Sequence, residues 1–195
     1  VKPLAAELAG SKATFATGKM TVSGWADLTA KFKAGDGITI SGCTTKPGNN
    51  KSVVIKSVTP TEITVADNTF TAGAEASTSI KLERKIPDLD FICESENRLW
   101  GCDSDTQTIY ASALGDPTNF YVYEGLSTDA YTLAVGTGGK FTGCCKLSSS
   151  VLFWKETKLH KMLGSYPAEY AMYTYEMEGL QDGCQKSQQV INDTL

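Results

Sequence analysis

The sequence predicts an all-β chain in two parts: a small β-barrel or sandwich module over residues 1–85, and antiparallel, blade-like sheets over residues 86–195. Three observations predict it. Short β-branched or alternating segments recur along the chain between Gly, Pro and Asn turn signals. Helical periodicity is nearly absent. The composition also shifts near residue 86, from Thr, Ser, Ala, Gly and Lys to aromatics and cysteines. The join falls within Lys81–Pro87 (KLERKIP), because proline lacks an N–H donor and holds the preceding residue extended.

In the first part, strands are predicted at Met20–Gly24, Asp36–Cys43, Lys51–Thr59, Glu62–Phe70 and Thr78–Arg84. Ile38 and Ile40 share one face of DGITIS, and Val53 and Ile55 one face of SVVIKS, as period-2 alternation requires. Gly35-Asp36-Gly37 is a tight entry into a strand, Lys46 to Asn50 (KPGNN) a loop, and Thr59-Pro60-Thr61 a hairpin connection. Ala26 to Lys33 (ADLTAKFK) suits one or two helical turns capped by Asp27.

The second part carries an internal near-repeat. Asn97 to Gly101, Thr108 to Tyr110 and Leu114 to Pro117 are echoed by Ser150 to Trp154, Lys158 to His160 and Leu163 to Pro167. Each copy reads strand, turn, strand, Gly/Pro turn. The offsets lie close to 50 residues, the period of a long propeller blade. Because a closed ring needs at least about four blades, the second part is expected to be a partial β-propeller. The chain, which opens at Val1 without an initiator methionine, is accordingly read as a fragment.

Among the turn signals of the second part, Gly115-Asp116-Pro117-Thr118-Asn119-Phe120 is the sharpest. Asp116 can accept backbone N–H bonds, Pro117 presets φ for the first corner, Asn119 tolerates unusual backbone geometry, and Phe120 is thereby returned to a core. The stretch Ser112 to Phe120 that holds this turn, with the strand Asn97 to Trp100, the hairpin Val151 to Gly164 and the segment Gly183 to Val190, resembles the β-propeller-type virion proteins of tailed phages and prophages. These include head-completion or stabilisation proteins of short-tailed phages and related tail-hub proteins. The resemblance covers about residues 87–193. It implies assembly rather than turnover: a head–tail connector or tail component of the virion, assembled in the bacterial cytoplasm, with other virion or tail proteins as partners. It carries no catalytic residue and no cofactor.

Composition sets the outer limits. The 195 residues, 41% hydrophobic, suffice for one ordinary core or two small ones. A net charge of −4 with dispersed lysines disfavours direct nucleic-acid binding. No apolar run reaches the roughly 18–20 residues that cross a bilayer. The six cysteines include the adjacent pair Cys144 and Cys145 and no C-x-x-C, so reduced, mostly buried thiols are expected, with Cys93 and Cys102 as one pair that a hairpin could bring opposite each other.

Other candidate chemistry has simpler readings. His160 is the sole histidine, which disfavours a metal site or catalytic dyad, and it is expected on a strand surface. Asp103 and Asp105 resemble the start of a calcium loop, but the closing glutamate is missing and a hairpin turn is expected. Glu94 with Glu96, and Glu176 with Glu178, read as solvated strand faces rather than an acid pair. Gly136 to Lys140 (GTGGK) lacks the phosphate-loop spacing and reads as a connection. Tyr170, Tyr173 and Tyr175 lie in an alternating strand (YAMYTYEME), whose aromatic face is expected in core or interface. Self-association follows from exposed sheet edges. The alternative function is a surface adhesion or carbohydrate-binding β module, recognisable by an aromatic patch flanked by Asn, Asp or Gln.

Overall fold

A computed structural model describes residues 5–7, 12–25, 27–76 and 80–189. Ala26, Thr78, Ser79 and Val190, each part of a segment assigned above, lie outside them. The described chain is all-β, with four antiparallel sheets, none closed. It divides into two compact units, Val1–Ile86 and Pro87–Leu195.

The first unit contains β1 (Ala5–Glu7), β2 (Lys12–Ala16), β3 (Lys19–Ser23), β4 (Gly37–Ser41), β5 (Ser52–Val54), β6 (Ser57–Val58), β7 (Glu62–Thr64), β8 (Gly73–Glu75) and β9 (Lys81–Arg84). They form two open sheets, ordered β1-β9-β4-β5 and β6-β7-β3-β2-β8. Both sheets contribute to one core, in which Phe15, Met20, Ile38, Ile40, Ile63 and Leu82 are buried. Ile38 and Ile40 face inward together, as their spacing predicts. The segment Lys51–Thr59 is broken into β5 and β6, and the strand from Glu62 stops at Thr64. The helical segment shrinks to one 3-10 turn, Leu28–Ala30, where Asp27 accepts the Thr29 N–H at 2.9 Å. Strands β1, β2 and β8 are additions to the sequence reading.

The loop Lys46 to Asn50 is held by side chains. Asn50 exchanges two hydrogen bonds with the Cys43 backbone, and Asn49 does the same with Thr71. The buried Glu75 carboxylate accepts the backbone N–H groups of Thr44, Thr45 and Lys46. Buried carboxylates need such donors.

The second unit consists of two four-stranded meanders. The first contains β10 (Phe91–Ser95), β11 (Arg98–Asp103), β12 (Thr108–Ala111) and β13 (Tyr131–Ala134); the second contains β14 (Phe141–Leu147), β15 (Ser150–Lys155), β16 (Lys158–Leu163) and β17 (Ala171–Glu176). In both, neighbours in sequence are neighbours in the sheet. The leading strands β10 and β14 run beside each other. Trp100, Ile109, Phe141, Phe153 and Met162 belong to a single buried cluster, so the two sheets share one core.

The near-repeat maps onto equivalent places. Its strands are the second and third of each meander, and its glycines, Gly115 and Gly164, both follow the third strand with positive φ, +71° and +114°. A side chain at Gly164 would also meet the Glu169 carbonyl oxygen at 2.7 Å. Both conformations favour glycine.

Candidate functional site

The Gly115–Phe120 turn is built from two consecutive side-chain turns. Asp116 Oδ1 accepts the Thr118 N–H at 3.1 Å and the Thr118 hydroxyl at 2.7 Å. Asn119 Oδ1 accepts the Tyr121 N–H at 3.0 Å. Positive φ falls on Gly115 and not on Asn119; Asn119 contributes its amide instead of a strained backbone, and it is buried. Phe120 is fully buried. The turn thus anchors the start of a connection that runs from Tyr121 to Ala130.

That connection is braced from within by Arg98, on the inward face of β11 with Trp100 and Cys102. The Arg98 guanidinium is 1% exposed. It donates to the carbonyls of Ser112 at 2.8 Å, Ser127 at 2.6 Å and Asp129, and contacts the Tyr170 phenol. Asp129, also buried, accepts the N–H groups of Glu124, Gly125 and Leu126 on its Oδ2. Its Oδ1 and the Arg98 Nε have no hydrogen-bond partner.

The braced connection forms one wall of a groove of about 440 Å³. Tyr123, Leu126, Asp129 and Tyr131 line it on this side, and Tyr166 with Pro167, from the β16–β17 connection, line the other. The Tyr123 hydroxyl donates to the Phe120 carbonyl at 2.9 Å and lies 2.6 Å from the Thr132 hydroxyl. Beneath, Tyr170 stands edge-on between Trp100 and Tyr131, with ring centroids 5.0 and 4.9 Å away. The sequence reading singled out neither Arg98 nor Asp129. The signal for Arg98 was its i, i+2 spacing from Trp100; nothing local marked the groove.

No family model matches the chain, and no curated protein matches it significantly.

A second buried polar cluster lies in the later meander. Lys155, 1% exposed, donates to Gln107 Oε1 and to the carbonyls of Thr137 at 2.6 Å and Gly138 at 3.3 Å, with its ammonium 4.7 Å from the Phe141 ring centre. His160 is fully buried rather than on the strand surface. Its Nδ1 lies 2.9 Å from the Thr174 hydroxyl and its Nε2 3.0 Å from that of Thr137. A neutral imidazole with both nitrogens matched can be buried at little cost. Burial first, then the Lys155 and Lys158 charges, lower its pKa to about 4.

The unfolded chain then takes up a proton near pH 6.5 while the native state does not until about pH 4. Stability should be fully present above pH 6.5 and fall through that window by on the order of 3 kcal/mol. Urea unfolding from pH 7 to pH 4 should show the loss, and His160→Gln, which cannot titrate, should flatten it. Equal slopes in the two proteins would refute this role for His160.

The remaining candidates resolve into turns and connections. Asp103 accepts the N–H groups of Asp105 and Thr106 and closes the β11–β12 hairpin. Glu94 accepts the Asn97 N–H from β10, while Glu96 lies in the following turn, not on the same strand face. Glu176 pairs with Lys158, and Glu178 follows the strand. Gly136 to Lys140 joins the two meanders and turns two carbonyls toward an ammonium, the reverse of a phosphate loop, which offers N–H groups.

All six cysteines are free thiols: Cys43 and Cys102 buried, Cys93, Cys144 and Cys145 half-buried, Cys184 exposed. Cys93 pairs across the ladder with Trp100, and Cys102 with Phe91, so the hairpin sets these two thiols diagonally and not opposite each other. Burial pushes the Cys43 thiol up to about 11, with Glu75 adding to the shift, and burial also raises Cys102. Neither is an activated nucleophile. Tyr173 and Tyr175 are exposed on β17, at 50% and 47%, whereas Tyr170 packs internally.

Proposed function

We propose that the chain is a non-enzymatic structural component of a phage or prophage particle, in a head–tail connector or tail, and that it works by presenting rigid β surfaces to neighbouring proteins. One observation carries this reading: two sequential four-stranded meanders, with leading strands side by side and one shared core. This is how successive blades of a partial propeller would be related. It agrees with the near-repeat and with the resemblance of the Gly115–Phe120 turn. Exposed Tyr173, Tyr175 and Met177 add an apolar patch beside the outer strand β17, suited to protein contact or self-association. Assembly would take place in the bacterial cytoplasm and the product would reside in the virion.

The gene that encodes the chain provides the test. Several further β repeats of about 50 residues in its full product, among portal, capsid or tail genes, are the expected finding. A gene set among sugar-uptake or wall-anchoring genes, with no further repeats, would overturn the assembly role.

A further inference from the structure

The tyrosine-lined groove is already framed by rigid walls, and its chemistry narrows what can occupy it. Its volume, about 440 Å³, lies within the roughly 300–1,000 Å³ of small-molecule sites. Three large apolar side chains gather on it, with Tyr123 56%, Leu126 55% and Tyr166 37% exposed. Exposed apolar groups that cluster, rather than scatter singly, mark binding surfaces.

Anions are poorly served there. The consecutive N–H groups of Glu124, Gly125 and Leu126 would make an anion-binding nest, but the Asp129 carboxylate already fills it. Among the described residues, no lysine or arginine lines the groove. What remains is a set of flat aromatic surfaces with polar rims and the hydroxyls of Ser127 and Thr132, with Asp129 buried in the wall. Such a lining suits a neutral ring that has an apolar face and an edge of hydroxyl donors.

We propose that this groove binds a saccharide, with one sugar ring stacked between the Tyr166 wall and the Tyr123–Leu126 wall and its hydroxyls directed to Ser127 and Thr132. Arg98 and Asp129 hold the connection in place before any ligand arrives, so little ordering entropy opposes binding. The site stands apart from the assembly reading. Failure of a sugar titration would leave that reading untouched, and a failed assembly role would leave the groove in place.

The test is an NMR titration of the whole chain with methyl α-glucoside, methyl α-mannoside, methyl β-galactoside and N-acetylglucosamine, each to about 50 mM, with choline and inorganic phosphate as competing chemistries. At least one sugar should shift the amides of Tyr123–Thr132 and Tyr166–Ala168. Tyr166→Ala should weaken that sugar at least tenfold with an unchanged amide spectrum elsewhere, and Leu126→Ala severalfold. Absence of shifts with all four sugars, shifts confined to other regions, or binding of choline or phosphate alone would each overturn the proposal.

Discussion

Arg98→Met is expected to destabilise the second unit by about 4 kcal/mol. The guanidinium is buried, and its removal strands the carbonyls of Ser112, Ser127 and Asp129 and the Tyr170 phenol. Ser112 and Asp129 are buried and held in place, by the end of β12 and by the connection that Asp129 itself clamps, whereas Ser127 is exposed and Tyr170 half-buried. A buried acceptor without a donor costs roughly 1–3 kcal/mol, and neighbouring ones do not add fully. Arg98→Lys keeps the charge but loses the planar fork, and should fall between Met and the parent. Urea unfolding followed by hydrogen exchange at the β11–β13 amides would separate this effect from the first unit. A loss below about 1 kcal/mol in Arg98→Met would show that the brace contributes little.

Lys155→Ala should cost about 3–4 kcal/mol, and Lys155→Met about 2 kcal/mol. Both remove the donor to the Gln107, Thr137 and Gly138 oxygens, and alanine also leaves a cavity beside Phe141. Methionine refills the space, and the cost of burying an ammonium disappears with the charge. Desolvation lowers the Lys155 pKa, in keeping with that cost. The same substitution should move the His160 titration upward from about 4, because Lys155 is one of the charges that oppose its protonation. The shift should stop below the ordinary histidine value, since burial remains the larger cause. NMR of the imidazole Cε1–H reads this directly, and an unmoved titration would show that Lys155 does not act on His160.

These two side chains also show where sequence reading ends. Arginine at 98 and lysine at 155 lie within segments that read as strands, yet a charged residue at an inward position reads as solvent-facing unless its partners are known. Those partners, Asp129 for Arg98 and Gln107 and Thr137 for Lys155, are distant in sequence. His160 was misplaced for the same reason. In contrast, Ile38 and Ile40, the Asp103 hairpin and the Asp116 turn are governed by neighbours within a few positions, and there the residues were sufficient. β2 escaped notice because Ala13, half of its inward face, is too small to register as a hydrophobic signal. The groove depends on residues 123–132 meeting residues 166–168, a juxtaposition that no local pattern encodes.

The shared core of the two meanders has a consequence for how the chain is made. Trp100 and Ile109 wait for Phe141, Phe153 and Met162 before their cluster can close. The first unit, by contrast, has its last core strand once Leu82 has left the ribosome. Met162 follows 80 positions later, which at roughly 5–20 residues per second is an interval of about 4–16 seconds. Over the last 28 of those positions, after Ala134 and for about 1–6 seconds, the earlier meander is translated but half covered, its aromatic face open to chaperones or to a second nascent chain, while the unit before it can already be folded.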